Sequence, residues 1–532
     1  MAPGVSRRTA LGTMMLGGAA GVLAHSPLVL GTMLRRANGI ARNRYAVHTT
    51  EGARMLDLYA IAVERMKALP PTNEFSWSFQ ASIHAMQMEH SSWWFLPWHR
   101  AYLWYFEGIV RQTIADALEA GEDFATPYWP WEDPSFRALP PTMFADRASP
   151  LFDSNRTDTT NGGGSLDIER EINDLFGACR FVDGTNGFGG TWTSAATVKG
   201  ALEKLHDLVH DHVGGLHMGI LSDSPWGPVF WLHHCNVDRL WELWLKRGGP
   251  RQNPYDDPIW AESLLSPTGK GWFYRADTRG RGEVATKDFL TGNQRFDYEY
   301  VEYTPPSPLA VLPTPGEDAC VQAGTPELST RPEDGAKVDL LLEHREVVSV
   351  SNAPCQRIPV NPGPLTVEVD LSVNGRRTLE KLIAAAREDP ALPVSVRLVV
   401  TGIKAAGPPG VTFRVFLNNP DVSAKTSSKA PNYVGTMSAL MAASKAKMMG
   451  GHHNPKVHVK PDDEEATFDI TPIVLTRADQ KAFDLDRILV TLVPVGAGGK
   501  DRPDAEVSVE GAEIRVVRVR PFKAPAPPGG GP

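Results

Sequence analysis

The histidines of this chain are concentrated in two windows whose spacing suits metal binding. Residues 206–234 contain six of the 15 histidines, and residues 84–99 contain three. His206 and His210 are four residues apart, so on a helix both rings leave the same face. His234 falls in the next helical segment of the sequence. Each window can therefore supply three imidazole ligands to one metal ion.

The residues around the histidines favour copper, zinc or iron. An aromatic run, Trp93-Trp94-Phe95-Leu96-Pro97-Trp98, separates His90 from His99, and few cysteines or carboxylates accompany it. Neutral imidazole is a ligand of these transition metals, whereas magnesium and calcium require oxygen ligands. Two three-histidine sites packed together predict two equivalent metal ions about 3.5–4 Å apart.

Five helical segments are expected to position these residues. Pro97 suits a helix start, because the first N–H groups of a helix have no partner. Gly214-Gly215 and Gly248-Gly249-Pro250 suit helix ends. Apolar spacing and these terminal signals predict helices over about residues 50–67, 78–89, 98–120, 197–213 and 229–246.

The composition changes after Tyr303, which predicts a multidomain α+β protein. From residue 364 the sequence alternates, as in Val394-Ser-Val-Arg-Leu-Val-Val, and such runs are typical of a β-sandwich. The predicted order is a mainly α-helical domain over 40–303, a Pro-rich connector over 304–363, a β-rich C-terminal domain over 364–520 and a disordered tail over 521–532.

The overall composition excludes several classes of protein. The chain has 532 residues, of which 42 % are hydrophobic and 22 % charged, as in soluble globular proteins, so no integral membrane domain is expected. A net charge of −8 without a long basic run argues against nucleic-acid binding. The four cysteines form no C-x-x-C pair; at most, Cys320 pairs with Cys355 in the connector, and buried or free thiols are the alternative.

Residues 1–35 resemble an export signal. Arg7-Arg8 precedes a Gly- and Ala-rich apolar stretch, similar to the twin-arginine signal of proteins that are exported already folded. Ala10 departs from the large apolar residue usual in that motif. The signal predicts a periplasmic or extracellular protein. The alternative is an uncleaved, partly disordered tail on a cytoplasmic protein.

Both histidine windows resemble the copper motifs of tyrosinases and catechol oxidases, which are type-3 copper proteins related to hemocyanins. The first is similar over His90-Ser-Ser-Trp-Trp-Phe-Leu-Pro-Trp-His99-Arg-Ala-Tyr-Leu. The second is similar over Leu205-His206-Asp-Leu-Val-His210 and over Pro228-Val-Phe-Trp-Leu-His233-His234-Cys-Asn-Val-Asp238-Arg-Leu-Trp. The resemblance covers about residues 40–303. The β-rich region is more weakly similar to the C-terminal domain of latent plant-type and long bacterial polyphenol oxidases.

This resemblance implies a catalytic domain with a four-helix-bundle core that binds two copper ions and uses O2 as co-substrate. It makes His234, rather than His233, the ligand of the His-His pair. The six implied ligands are His84, His90, His99, His206, His210 and His234. It also implies Glu203 and Asp207 as catalytic residues that accept the phenol proton, directly or through water.

The implied activity is the oxidation of o-diphenols to o-quinones, with ortho-hydroxylation of monophenols and a role in melanin biosynthesis. A phenolic small molecule is the expected substrate, and a homo-oligomer is compatible with the sequence. The alternatives are a catechol or o-aminophenol oxidase without monophenolase activity, a hemocyanin-like O2-binding protein and a zinc hydrolase. The C-terminal domain is hypothesised to cover the copper site, with Tyr433, Met448 or Met449 in the position of the substrate.

Overall fold

The computed structural model describes the greater part of the chain. The export-like segment 1–35, the tail 521–532, Met448 and Met449 lie outside the described residues. Within the described residues, no helix has the length and apolar character needed to cross a membrane. The described ranges are 42–119, 123–156, 166–183, 187–192, 197–262, 272–283, 285–286, 298–303, 320, 345–349, 358–359, 363–388, 394–405, 410–440, 442, 465–471, 473–475, 487–496 and 507–519.

Helices dominate the first part of the structure and carry the histidines. The described helices are α1 (Thr50–Ala68), α2 (Trp77–Gln87), α3 (Phe95–Leu118), α4 (Glu169–Gly177), α5 (Ala201–Val213), α6 (Gly215–Met218), α7 (Val229–Lys246), α8 (Pro258–Glu262) and α9 (Val373–Glu388).

Local capping explains where the first helices begin. The side chains of Thr49 and Ser76 accept hydrogen bonds from the backbone N–H groups of Gly52 (3.0 Å) and Phe79 (3.1 Å), and so cap α1 and α2. Helix α3 begins at Phe95, before the predicted start, and Pro97 lies in its first turn, where its missing N–H costs no hydrogen bond.

Two other predicted helices can be compared with the structure. Helix α7 spans the predicted residues 229–246. Helix α5 begins only at Ala201, because Thr197–Val198 forms a short strand, so the predicted start at 197 is wrong. Helix α3 packs against α1 and α7, and α5 packs against α7. Their apolar side chains share a single core cluster.

Strands form small pairs in the helical domain and larger sheets after residue 344. The pairs are β1 (Arg42–Arg44) with β6 (Tyr298–Tyr300), β2 (Thr191–Trp192) with β3 (Thr197–Val198), and β4 (Trp272–Arg275) with β5 (Gly280–Glu283). The later strands are β7 (Arg345–Ser349), β8 (Ile358–Pro359), β9 (Leu365–Val369), β10 (Val394–Thr401), β11 (Lys404–Ala405), β12 (Val411–Leu417), β13 (Tyr433–Met437), β14 (Ala466–Asp469), β15 (Ile488–Gly496), β16 (Val507–Val509) and β17 (Gly511–Val519).

In the C-terminal region, two four-stranded sheets pack against each other. Among the described strands their orders are β14-β10-β17-β7 and β13-β12-β15-β9, and a smaller sheet has the order β11-β16-β8. Alternate residues of β10 and β12, such as Leu398 and Phe413, enter one shared apolar core. The structure therefore shows the predicted order of a helical domain followed by a β-rich domain with sandwich-like packing.

Two features of this region differ from the sequence prediction. Strands β7 and β8 lie inside the predicted connector, and they pair with β17 and β16 of the C-terminal sheets. The sheets thus begin before residue 364. Helix α9 lies between β9 and β10, where only strands and turns were predicted.

The pairing of Cys320 with Cys355, which the sequence left open beside buried or free thiols, does not form, because Cys320 is bonded to Cys179 instead. Cys179 lies two residues after Gly177, the last residue of α4, and Cys320 comes 141 residues later. This bond joins the region after Tyr303 to the helical domain. No local pattern links two cysteines that are 141 residues apart, so this pairing could not be predicted.

A buried carboxylate joins four elements behind the histidines. Asp238 on α7 accepts hydrogen bonds from Arg100 on α3, from Arg44 on β1 and from the hydroxyls of Tyr298 and Tyr300 on β6. Burial alone would raise the pKa of Asp238, but Arg100 and Arg44 lower it below its usual value. The ionised carboxylate thus holds β1, α3, β6 and α7 together.

We expect the substitution Asp238→Asn to lower the free energy of unfolding by about 3–5 kcal/mol, because it removes the partner of two buried arginines. Guanidinium denaturation followed by circular dichroism measures the change. Glu368→Gln, which breaks an exposed ion pair with Arg487, is the control and should cost no more than about 1 kcal/mol.

The same carboxylate gives a pH dependence. Because its folded-state pKa is lowered, its stabilisation is present above the unfolded value of about 3.9 and is lost as the pH falls through the lower folded value. The difference between wild type and Asp238→Asn should therefore shrink below about pH 4. Equal stabilities at pH 7 would contradict this role of Asp238.

Candidate metal centre

The histidines converge from four helices and one loop. His84 lies on α2, His90 on the loop that follows it, and His99 in the second turn of α3. On the other side, α5 and α7 contribute four more rings, those of His206, His210, His233 and His234. The rings form two groups, and within each group one ligand nitrogen per residue lies within 4.8 Å of the others.

In the first cluster, the imidazoles of His84, His90 and His99 face one another. The Nε2 atoms of His84 and His99 are 3.3 Å apart, and the ring centroid of His90 lies 5.4 Å and 4.9 Å from those of His84 and His99. The Nδ1 atom of His99 is 2.8 Å from the carbonyl oxygen of Phe95, one turn earlier on the helix. This hydrogen bond turns Nε2 of His99 toward the cluster.

The second cluster has the same plan. The Nε2 atoms of His206 and His234 are 3.2 Å apart. The Nδ1 atom of His210 lies 2.7 Å from the carbonyl oxygen of Met218, and Nδ1 of His206 lies 3.0 Å from Oδ1 of Asp207. A backbone carbonyl and a carboxylate thus hold the outer nitrogens, and the inner nitrogens face one another.

The two clusters adjoin. The rings of His99 and His234 are stacked with their centroids 4.3 Å apart, and the centroids of His90 and His206 are 5.6 Å apart. The structure therefore brings all six histidines that were predicted as ligands into one buried region. Two metal ions bound here would be close neighbours.

Several observations show that the clusters fit metal ions. Among the described residues, Nε2 of His210 and both ring nitrogens of His90 are buried without a hydrogen-bond partner, which is costly unless a metal binds them. Two imidazole nitrogens bound to one metal at about 2.0–2.1 Å lie roughly 3.3 Å apart at a tetrahedral angle. The nitrogen pairs of the two clusters, at 3.3 Å and 3.2 Å, match this separation.

The protonation state of the rings also suits metal binding. Burial is the main cause that lowers the pKa of His99 to about 3 and that of His210 to about 4. Burial likewise lowers the pKa of His84, His90, His206 and His234 well below the usual value. The rings are therefore neutral at neutral pH, which is the form that binds a metal.

His233 is a fourth histidine in the second cluster. Its ring stacks on that of His206 with a centroid distance of 5.0 Å and lies 5.7 Å from Trp131. Both of its nitrogens are buried without a hydrogen-bond partner in the described structure. The geometry thus places both members of the His-His pair beside the cluster. Of the two, it is His234 whose Nε2 atom lies 3.2 Å from Nε2 of His206.

The two predicted catalytic carboxylates lie on α5 on either side of His206. Oε1 of Glu203 accepts a hydrogen bond from the backbone N–H of Ser91, the neighbour of His90, at 2.5 Å. Asp207 accepts from Nζ of Lys199 at 2.7 Å and also contacts His206. Both carboxylates therefore touch the ligand framework. Lys199 lies outside the motifs of the sequence, and Ser91 lies inside the first motif but takes part through its backbone N–H, so neither contact was predicted.

Aromatic rings enclose the clusters. The ring of Phe95 lies 4.7 Å from those of His99 and His206, and the ring of Phe230 lies 4.2 Å from that of His234, between centroids. Trp98 packs 4.8 Å from His99. These side chains exclude water around the metal ligands and offer apolar surface to an aromatic substrate.

A family model described as the common central domain of tyrosinase matches residues 74–174 and 167–247. These segments carry every histidine of both clusters. This part of the chain is a tyrosinase domain. The two histidine clusters of the tyrosinase domain are suited to bind two copper ions, since imidazole is a preferred copper ligand.

The chain is similar in sequence to a bacterial tyrosinase and to plant polyphenol oxidases. The chain is 30 % identical to tyrosinase HcTyr1 of Hahella sp. (strain CCB-MM4) over 308 residues, which is 48 % of this chain and 62 % of that protein. It is 29 % identical to the chloroplastic polyphenol oxidase A1 of Vicia faba over 296 residues, which is 48 % of this chain and 46 % of that protein. The chain thus spans about half to three fifths of the length of these relatives.

Solved structures show that the similarity of fold extends beyond the tyrosinase domain. A recombinant latent aurone synthase (polyphenol oxidase) superposes with a TM-score of 0.54 at 22 % identity, with 90 % of each chain covered. Latent apple tyrosinase superposes with a TM-score of 0.52 at 20 % identity, covering 90 % of this chain and 97 % of its own. These likenesses confirm the predicted fold of a helical domain and a sheet-rich C-terminal region.

We predict that the two histidines of the His-His pair differ in metal binding. His234→Ala should lose about half of the copper of the wild-type protein, because its nitrogen faces that of His206. His233→Ala is the matched control and should keep both ions. Copper content measured by atomic absorption on purified variants tests this. Loss of copper from His233→Ala with retention in His234→Ala would reverse the assignment.

Proposed function

We propose that the protein is a dinuclear copper oxidase that uses O2 to oxidise o-diphenols to o-quinones. The observation that carries this proposal is the pair of adjoining three-histidine clusters in a tyrosinase domain, with rings that are neutral and enclosed by aromatic side chains. Bound copper would supply the redox chemistry with O2. The relatives named tyrosinase and polyphenol oxidase support the same reaction class.

The residues of this chain have three tasks in that reaction. His84, His90 and His99 hold one ion, and His206, His210 and His234 hold the other. Phe95 and Phe230 exclude water and give the phenol ring a packing surface. A phenol has a pKa of about 10, so a base that accepts its proton favours binding near neutral pH.

Glu203 and Asp207 are the bases we propose for that proton, directly or through water. They lie on the same helix as His206, one turn before it and directly after it. Glu203 also contacts the backbone of the loop that carries His90. A carboxylate that touches both ligand-bearing segments is well placed to receive a proton from a phenol at the copper site.

We further propose that monophenols are hydroxylated, which is the finer part of the predicted activity. Oxygen consumption by copper-loaded, full-length protein should be measured with catechol, tyrosine and an o-aminophenol. Turnover of catechol far above buffer controls supports the oxidase. Oxygen uptake with tyrosine supports a tyrosinase, and its absence supports a catechol oxidase. Reversible O2 binding without turnover would contradict the proposal and favour a carrier.

The role of the carboxylates can be tested by isosteric substitution. Because Gln keeps an acceptor for Ser91, Glu203→Gln preserves the loop contact and removes only the base. We expect kcat/KM for a monophenol to fall roughly 100-fold, with a smaller change for catechol. Asp207→Asn should show the same asymmetry if Asp207 shares the role. Unchanged monophenol kinetics in both variants would remove the carboxylates from the mechanism.

We also propose that the C-terminal domain restricts access to the copper site. The sheet that contains β12 and β13 packs against α4 and α5. Helix α5 carries His206 and His210. Arg414 is paired with Asp167, Lys429 is 3.0 Å from Glu169, and the backbone N–H of Ala439 donates to Asp211 at 3.1 Å. These contacts hold the domain beside the metal ligands.

Tyr433 is not suited to block the site. It lies at the start of strand β13, opposite Phe416 of β12, and its hydroxyl donates to Glu171 on α4 at 2.7 Å. The strand pairing and this hydrogen bond hold it at the interface with α4. The expectation that Tyr433 takes the place of a substrate is therefore wrong.

Weakening the interface should raise activity if the domain restricts access. We expect Arg414→Ala combined with Lys429→Ala to increase the initial rate on catechol several-fold at equal copper content. Arg487→Ala is the matched control, because it breaks an exposed ion pair within the C-terminal domain. Limited proteolysis shows whether the C-terminal domain is released in the double variant. If it is released and the rate still equals that of wild type, the proposal is contradicted.

Residues 1–35 are proposed as an export signal that directs the protein to the periplasm or the outside of the cell. We also propose that the quinones formed in this reaction go on to form melanin-type polymers. Fractionation of cells that express the full chain, compared with a variant in which Arg7 and Arg8 are lysines, tests the signal.

A further inference from the structure

A second cleft lies on the face of α3 that points away from the histidines. It has a volume of about 420 Å³ and is lined by Trp104, Tyr105, Gly108 and Arg111 of α3, with Arg42 of β1 and Arg275 of β4. At 100° per residue, these positions of α3 share one face, and His99 lies on the opposite face. The proposed oxidase reaction does not use this cleft.

Three guanidinium groups meet in this cleft, and two of them have exposed carboxylate partners. Arg42 is 3.4 Å from Asp123, and Arg275 is 2.8 Å from Asp277. Both carboxylates lie largely in solvent, where such pairs contribute little. Arg275 can therefore turn toward a ligand at small cost.

Arg111 is the residue that lacks an adequate acceptor. Its Nη1 atom is buried without a hydrogen-bond partner among the described residues, and the nearest carboxylate oxygen, on Glu107, is 3.8 Å away. Glu107 already accepts from Arg44 at 2.8 Å. Burial is the main cause that lowers the pKa of Arg111 to about 10. The positive charges of Arg42 and Arg44 lower it as well, whereas the charge of Glu107 opposes the shift. An anion in the cleft would relieve this repulsion.

The other walls of the cleft are aromatic and small. Trp104 presents a half-buried indole, and Tyr105 contributes part of its ring. Gly108 leaves space between them, because a Cβ atom placed there would meet only Ala276, at an ordinary 3.8 Å. The cleft thus offers charge-assisted hydrogen bonds at one side and a flat apolar surface at the other.

We propose that this cleft binds a small organic carboxylate with a flat apolar ring, with the carboxylate on Arg111 and the ring against Trp104. A guanidinium matches a carboxylate through two parallel hydrogen bonds, and an indole face packs well on a planar ring. The volume is within the range of small-molecule sites. This ligand site is separate from the histidine clusters and does not depend on the proposed oxidase activity.

Isothermal titration of full-length, copper-loaded protein with benzoate tests the site, with benzamide as the neutral probe of the same shape. We expect benzoate to bind saturably. Benzamide should bind at least roughly tenfold more weakly, because benzamide cannot form the charge-assisted hydrogen bonds. Arg111→Gln should weaken benzoate binding by a similar factor.

Substitutions at Gly108 test the place of binding without touching an arginine. Gly108→Leu fills the cleft and should abolish the benzoate isotherm seen in wild type. Gly108→Ala is the matched control and should bind within about twofold of wild type, since its Cβ fits. Benzoate binding that is unchanged in Gly108→Leu, as it would be for benzoate at the histidine clusters, overturns the proposal. Equal affinities for benzoate and benzamide would overturn it as well.

Discussion

The desolvation of seven imidazole rings is the constraint on which the structure depends. His84, His90, His99, His206, His210, His233 and His234 meet where water is excluded, so each ring nitrogen needs a partner inside the protein. Phe95 and Met218 satisfy the outer nitrogens of two rings with backbone carbonyls. The inner nitrogens face one another, an arrangement that becomes favourable when a metal ion lies between them. The same burial keeps the rings neutral and ready to bind.

The charges of the tyrosinase domain are placed behind the clusters. Asp238 lies one helical turn after His234 on α7 and gathers Arg44, Arg100 and two tyrosines from three other elements. Helix α7 thus carries a ligand and the anchor of the surrounding scaffold within four residues. Rigid helices that are fixed in this way hold the ligand nitrogens close together.

The sequence could predict the histidines and most of their helices because these signals are local. His206 and His210 share a helix face at any packing, and the boundaries of α7 follow from the turn residues that end it. Long-range partners have no such signal. The pairing of Cys179 with Cys320, the strands within the predicted connector and the contact of Glu203 with Ser91 depend on how distant segments pack. Helix α9 was missed because its surroundings alternate like strands.

Diffraction from crystals of the copper-loaded protein at the copper absorption edge tests the central claim most directly. The account predicts two anomalous peaks about 3.5–4 Å apart, one among His84, His90 and His99 and the other among His206, His210 and His234. A single peak, or copper bound outside these histidines, would contradict it.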